Sequence, residues 1–175
     1  MKSILQEITI RTQLTPGDIG YVIHRHGKLY SEEYGYGVSF EAYVGAGLYE
    51  FYKNYDPKLD RVWICEHDGK IVGFLLLMHR ENNTAQLRYF YLEAGYRGIG
   101  LGRKLMDLYM DFLVSAGYTA SYLWTTHELP AAAHLYTSYG FRLTEEKDST
   151  AFGKALKEQR YELEVRPVLD RKSVV

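Results

Sequence analysis

Residues 84–113, TAQLRYFYLEAGYRGIGLGRKLMDLYMDFL, constrain the fold more than any other stretch of the chain. An apolar, β-rich run (84–92) leads into three glycines at alternate positions, Gly98, Gly100 and Gly102, and these open a segment with helical periodicity. Leu101, Leu105, Leu108 and Phe112 recur at i, i+4, i+7 and i+11, which predicts a helix with one apolar stripe, stopped by Gly117. A strand handed to a helix in this way belongs to a layered α/β arrangement. Glycine at a helix start costs roughly 1 kcal/mol per residue against alanine, so three of them need a reason. Helix N-termini leave backbone N–H groups unpaired, carry partial positive charge and bind phosphates. Bare backbone lets phosphate oxygens reach those amides. A tight strand-to-helix turn with no ligand would use the same residues, and a lone glycine-rich turn does not separate the two readings.

Spacing narrows the choice. The pattern GxxxxGK[ST] is absent, because Gly98 and Gly102 stand too close and Arg103-Lys104 follow without Ser or Thr. The dinucleotide fingerprint GxGxxG matches Gly98 and Gly100 but meets Arg103 at its third glycine, and no acidic residue follows at a strand end about 20 residues on. What remains is R-x-x-G-x-G, led by Arg97.

Around this unit the pattern gives strand 4–12, a short helix from an Asp18 cap to His26 with a stop at Gly27, a loop at 31–37, and a helix from Ser39 to about Tyr55. Phe40, Tyr43, Val44, Gly47 and Phe51 share one face of that helix. Two β-rich runs within 61–80 flank His67-Asp68-Gly69 and read as a hairpin. Strand 119–126 follows, then a helix from Pro130 to the stop at Gly140, then strands 141–147 and 160–166. The order βααβββαβαββ predicts a mixed, mostly antiparallel sheet of about seven strands with helices on both faces. The C-terminal strand 160–166 is expected at an edge, where a second copy of the chain could pair with it to form a homodimer.

Composition excludes several classes. The chain has 175 residues, one domain by length, with a net charge of −1. No basic field marks a nucleic-acid binder, and no apolar run reaches the roughly 18 residues of a membrane span. The N-terminal segment lacks a signal-peptide core, and the single cysteine, Cys65, forms neither an internal disulfide nor a zinc cluster, so a cytoplasmic setting is expected. Seventeen tyrosines stand out, eight of them within residues 21–55.

RGIGLG, with AAHLYTSYGF (132–141) downstream, resembles the GNAT superfamily of acetyl-CoA-dependent N-acetyltransferases. The first run matches its Q/R-x-x-G-x-G/A coenzyme A loop, and the second matches its A-x-x-L-Y-x-x-x-G-F signature. Further stretches, among them PGDIGYVIHRHGKLYSEEYGYGVSFEAYV, WICEHDGKIVGF and FGKALKEQRYELEV, are similar to the GNAT domain fused to MarR-type helix-turn-helix regulators. No helix-turn-helix part is expected here: residues 1–175 are read as one acetyl-CoA-binding unit.

The resemblance implies transfer of an acetyl group from acetyl-CoA to the primary amine of a small molecule, with no metal. It implies a bulge near the end of strand 84–92, where the backbone of Phe90, Tyr91 and Leu92 pairs with the pantetheine arm. It implies that amides from Arg97 through Gly98, Ile99, Gly100, Leu101 and Gly102 to Arg103 hold the diphosphate, and that strand 119–126 splays from strand 84–92 to open a V. Tyr136, at the signature tyrosine, is the implied proton donor to the departing thiolate; an ordinary phenol with pKa near 10 suits that task. Tyr139 is assigned to the core.

Two positions depart from the family pattern: Gln86 stands where many members carry a glutamate base, and Leu129 where many carry an asparagine. Glu93, Glu128, Glu41 and Glu33 are the remaining candidates for the base. His24-Arg25-His26 invites a metal reading, but adjacent helix residues diverge and no third ligand is spaced to join them, so a surface helix end is the better assignment. The tyrosine-rich window is expected to shape the acceptor pocket, and Glu32, Glu33 and Glu41 within it suggest a cationic amine. Two alternatives stand beside the small-molecule enzyme: a non-catalytic acyl-CoA sensor, and an acetyltransferase acting on protein lysines or N-termini.

Overall fold

In the computed structural model, which describes residues 3–166, seven strands form one sheet in the order β1-β2-β3-β4-β5-β7-β6. The elements run α1 (Ile4–Glu7), β1 (Thr9–Arg11), α2 (Asp18–Tyr34), α3 (Val38–Lys53), β2 (Arg61–His67), β3 (Lys70–Arg80), β4 (Thr84–Leu92), a 3₁₀ turn (Ala94–Tyr96), α4 (Leu101–Ser115), β5 (Ala120–Thr126), α5 (Pro130–Ser138), β6 (Arg142–Ser149) and β7 (Leu156–Glu164). Only β4 and β5 run parallel; every other neighbouring pair is antiparallel. The architecture is the mixed α/β sandwich expected from the element order. Of the unit read as 1–175, residues 1–2 and 167–175 lie outside the described residues.

The sheet is built outward from its apolar hairpin. Asp68 and Gly69 both have positive φ, 51° and 74°, as a two-residue type I′ turn requires, and His67 pairs with Lys70 across it. The strands it joins are buried on both faces. Trp63, Cys65, Leu75 and Leu77 meet α4 and Tyr136 of α5 on one side; Val62, Ile64, Phe74, Leu76 and Met78 meet α2 and α3 on the other. This explains why VWIC and IVGFLLLM read as nearly continuous apolar runs and not as alternation.

Several boundaries differ from the sequence reading. The strand expected over 4–12 is split, because Ser3 and Gln6 form a capping box that pulls residues 4–7 into one helical turn and leaves Thr9–Arg11 as strand. Helix α2 does not stop at Gly27 but continues to Tyr34, ending at Gly35 with φ 73°. Gly27 serves packing instead: a Cβ there would run into the Glu41 side chain of α3. Asp18 does not cap α2, which starts from Gly17; its carboxylate accepts hydrogen bonds from Arg11 and from the Thr15 amide and hydroxyl. Likewise α3 starts from Gly37, not Ser39, and it buries Leu48 while Tyr43 is exposed. On α4 the deepest stripe is Leu101, Leu105, Tyr109 and Leu113, with Leu108 and Phe112 at its margin. Tyr109 tolerates full burial because its hydroxyl pairs with Ser121 Oγ at 2.7 Å.

The C-terminal strand is also displaced from its expected place. β7 pairs with β5 from Ala120↔Glu164 to Thr126↔Glu158 and with β6 on its other side. It is therefore interior to the sheet, and the edge on this side is β6. The basis for a dimer through strand 160–166 is removed, because that strand already has both its neighbours. The true edge carries Arg142, Glu145, Glu146, Lys147 and Asp148, all exposed. Among the described residues no helix is long and apolar enough to cross a membrane.

One helical glycine fixes how α3 lies on the sheet. A Cβ on Gly47 would overlap the Tyr89 hydroxyl of β4 and crowd the Arg88 guanidinium. Gly47→Ala should therefore destabilise the protein by about 1–3 kcal/mol in urea unfolding, although alanine is the better helix former. Tyr89→Phe, which deletes the overlapping oxygen, should recover part of that loss in the double variant.

Candidate functional site

The two central strands part company. β4 and β5 are paired only over Thr84↔Ala120, Ala85↔Ser121 and Gln86↔Tyr122. Beyond this point β5 stays with β7, while β4 is turned by a bulge. Leu76 faces Arg88 and Phe74 faces Tyr91, so Tyr89 and Phe90 share one partner position on β3, and Tyr89 takes φ 57°. A bulge of this kind bends its strand. Past the bulge Tyr91 pairs with Phe74, and the Glu93 amide donates to Val72 O at 2.9 Å. By the alternation of an antiparallel ladder, the backbone groups of Phe90 and Leu92 then point into the gap left by β5. Of the three residues expected to offer backbone to a ligand, Phe90 and Leu92 are so directed; Tyr91 is engaged with β3. The Leu92 carbonyl accepts from Arg97 Nε at 3.2 Å.

The glycine turn follows at the mouth of the gap. Gly98 and Gly100 hold φ 76° and 92°, conformations that only glycine adopts without strain. The Arg97 amide donates to Ala94 O at 3.4 Å, and the first helical bond runs from the Lys104 amide to Gly100 O at 3.1 Å. Between them the amides of residues 98–103 donate to no acceptor among the described residues, six in succession at a helix N-terminus. Gly102 differs from the other two glycines. A Cβ there would meet Leu135 at 3.4 Å, an ordinary contact, which agrees with a family pattern that accepts Gly or Ala at this position. The Arg97 guanidinium is held by Glu33 at 2.8 Å. The Arg103 guanidinium lies 6.0 Å from the Tyr139 ring, and Tyr139, expected in the core, instead sits half-buried and donates to Asp107 at 2.6 Å.

On the α2–α3 face, the parting strands open a cavity of about 130 Å³. Its wall is aromatic, with Tyr30 from α2, Tyr36 from the α2–α3 connection, Phe40 from α3, Tyr89 from the bulge and Trp124 from β5. Tyr136 reaches it from α5, 5 % exposed, its ring centroid 6.2 Å from that of Phe90. Burial raises the Tyr136 phenol well above its ordinary value, so it keeps its proton at neutral pH. Leu129 and Ala132 complete that side.

Gln86 also lines the cavity, and its amide oxygen accepts from Arg80 Nε at 2.9 Å and from the Tyr122 hydroxyl at 3.2 Å. None of the four glutamates considered as bases lines it. Glu93 is held by Arg25 at 2.6 and 2.9 Å, Glu33 by Arg97, and Glu128 by Lys154 at 2.7 Å, while Glu41 packs beside Gly27. The cavity's carboxylate is Glu158 and its cation is Arg88, neither of which the sequence reading singled out. His26, which the sequence places at a surface helix end, is instead 2 % exposed and lines the same cavity. Its Nδ1–H donates to Val22 O at 2.8 Å, and burial keeps the ring neutral, so Nε2 is presented as an acceptor. That atom, like the Tyr89 hydroxyl, is buried without a partner. The spacing Asp18, Val22, His26, Leu29 holds the signal that places His26 inward; it is lost if Gly27 is taken as the helix end.

The family model described as acetyltransferase (GNAT) family matches residues 25–141. An uncharacterized N-acetyltransferase of Escherichia coli K12, YjgM, is 30% identical over 146 residues, covering 81% of this chain and 86% of that protein. Human N-acetylaspartate synthetase is 36% identical over 81 residues, which is 46% of this chain and only 27% of that enzyme. Among solved structures, a GNAT acetyltransferase from Staphylococcus aureus Mu50 superposes with a TM-score of 0.72 at 20% identity, covering 91% of this chain and 99% of that one. Spermidine N-acetyltransferase from Vibrio cholerae, in complex with CoA and spermine, gives a TM-score of 0.66 at 20% identity, covering 91% and 96%.

Burial of His26 has a consequence that can be measured. Desolvation depresses its pKa from 6.5 to about 4. The unfolded chain thus takes up a proton near pH 6.5 that the folded protein refuses until about pH 4, so stability falls as pH is lowered through this window. The loss should approach about 3 kcal/mol at the acid end. His26→Asn, which keeps a donor toward Val22 O but does not titrate, should lower stability at neutral pH and flatten the slope between pH 6.5 and 4 in thermal unfolding.

Proposed function

Because the chain belongs to the acetyltransferase (GNAT) family, we propose that it transfers an acetyl group from acetyl-CoA to the primary amine of a small molecule. One observation carries the reading: a gap between β4 and β5 that lies beside six consecutive free amides. The amides of residues 98–103, at the positive end of α4, take the donor's diphosphate. The backbone groups of Phe90 and Leu92 take the pantetheine arm as a strand would, in place of the β5 partner they lack. The acetyl group then comes to the bulge, close to Tyr136.

The chemistry is a direct transfer. The acceptor enters as an ammonium and must shed a proton to become a nucleophile. Its nitrogen forms a bond to the acetyl carbon and gives up its second proton to solvent as the carbon–sulfur bond breaks, and the thiolate takes a proton from Tyr136, which solvent restores. Overall one ammonium becomes one amide, one thioester becomes one thiol, and one proton is released. Backbone amides at the bulge polarise the carbonyl, an oxyanion-type role. Gln86 is not the base. Its amide oxygen is held by Arg80 and Tyr122, so even a glutamate there would sit as an ion pair.

Calorimetry with acetyl-CoA, beside a free-thiol assay over a panel of amines and lysine peptides, tests the reading. Tyr136→Phe should leave the acetyl-CoA Kd nearly unchanged and lower kcat by about 100-fold, the usual scale for a general acid. Binding without thiol release from any amine would instead identify an acyl-CoA sensor, and release with peptides alone a protein acetyltransferase.

The glycines give a separate expectation. Gly100→Ala forces a side chain into φ 92° and should weaken acetyl-CoA about tenfold, equivalent to about 1.4 kcal/mol. Gly102→Ala should bind like the parent. Equal effects of the two substitutions would sink the account of the loop.

A further inference from the structure

Nineteen residues line the cavity beside the bulge, and two of them carry full charge, Arg88 on β4 and Glu158 on β7. Both project to the face covered by α2 and α3. Neither is in an ion pair among the described residues; Arg11, Arg25, Arg80, Arg97 and Arg160 are, while Arg61, Arg103 and Arg142 are not. Arg88 is half-buried among apolar and aromatic groups. Its Cζ lies 4.7 Å from the Tyr89 ring centroid and 5.5 Å from that of Tyr43, and Nη1 is 3.9 Å from Met78 Sδ. Its N–H fork meets no oxygen among the described residues. A half-buried guanidinium bordered by rings and sulfur and given no anion is set for an anion that arrives with a ligand.

Glu158 is the opposite case. Its ladder partner Lys147 would neutralise it, but the Lys147 ammonium lies over the Trp124 ring at 4.7 Å. Two further polar atoms of the wall, His26 Nε2 and the Tyr89 hydroxyl, are buried without partners, and both belong to residues lining this cavity. The His26 and Tyr89 rings are in edge contact with centroids 5.8 Å apart, so Arg88, Tyr89 and His26 form one continuous surface. The cavity therefore offers one cation, one anion and neutral hydrogen-bonding groups inside an aromatic wall.

We propose that the acceptor is a zwitterionic amino acid, an amine that carries a carboxylate, with the carboxylate held by the Arg88 fork and the ammonium held by Glu158 before it loses its proton. The inference rests on the acetyltransferase reading for its chemistry and narrows the acceptor beyond it. It reverses the cationic acceptor suggested by Glu32, Glu33 and Glu41, none of which lines the cavity. A polyamine, with cationic centres and no carboxylate, would face Arg88 as a like charge. The aromatic wall and small volume favour amino acids with compact apolar or aromatic side chains.

The test is equilibrium binding, which needs no turnover. The protein saturated with CoA is titrated by calorimetry with leucine against isoamylamine, phenylalanine against phenethylamine, and with aspartate and spermidine. At least one amino acid should bind about 30-fold or more tightly than its decarboxylated counterpart, the scale of a desolvated charge pair. Arg88→Gln should erase that preference while leaving the CoA affinity unchanged. Glu158→Gln should weaken both members of each pair alike, since both carry the ammonium. Three results would overturn the proposal: binding of no amino acid, spermidine or the simple amines binding as well as the amino acids, or Arg88→Gln weakening both members equally. Failure of CoA itself to bind would instead strike the reading of the glycine loop, so the two failures are distinguishable.

Discussion

The separation of β4 from β5 is the constraint on which the rest of this structure turns. Two parallel strands pair for three residues and then diverge in the middle of a sheet, where backbone groups are ordinarily satisfied by a neighbour. Each side of the opening is held by a separate device. On β4 it is the bulge at Tyr89, which turns the strand away and is itself seated against Gly47 of α3. On β5 it is the seven-residue ladder with β7, which keeps the strand straight. The two helices whose N-termini follow these strands, α4 and α5, touch where Gly102 meets Leu135. A ligand entering the gap is thus met at once by backbone, by a helix N-terminus and by the tyrosine of α5.

In the proposed function the labour is divided between two parts of the molecule. The opened edge of β4 and the N-terminus of α4 offer main-chain groups to the proposed donor. The face covered by α2 and α3 offers side chains to the proposed acceptor. Six of the eight tyrosines of residues 21–55 fall into two sets around this face. Tyr30, Tyr36 and Tyr43 line the cavity, while Tyr49, Tyr52 and Tyr55 lie exposed along the outer part of α3 and beyond it.

Much of this was legible in the chain. The hairpin is carried by Asp68-Gly69, the turn by Gly98 and Gly100, and the family signatures by contiguous residues of the glycine turn and of α5. Local chemistry fixes such features, so a linear reading reaches them. The acceptor side was less legible because it is assembled from distant segments. His26 becomes a cavity residue only because α2 runs past Gly27, a glycine that lies inside the helix beside the Glu41 side chain of α3. Arg88 was in plain view as the one charge inside the apolar run AQLRYFYL, where both faces of the strand are buried. The final strand was misplaced at the edge because nothing in its own residues says that β6 folds outside it. The glutamates that looked available as bases are held by arginines or a lysine far away in sequence, or are packed between helices; no local pattern reveals that.

Cys65, at the centre of β2, has the same significance seen from the side of unwanted chemistry. A protein that holds a thioester in its own binding cleft exposes any thiolate it owns to acyl capture. This thiol is fully buried in the core beneath α4, and desolvation pushes its pKa up to about 12. At neutral pH it has almost no thiolate to offer and no path to an incoming thioester. The chain thus carries its single sulfhydryl in a form that neither its proposed substrate nor oxidants in its surroundings can readily modify.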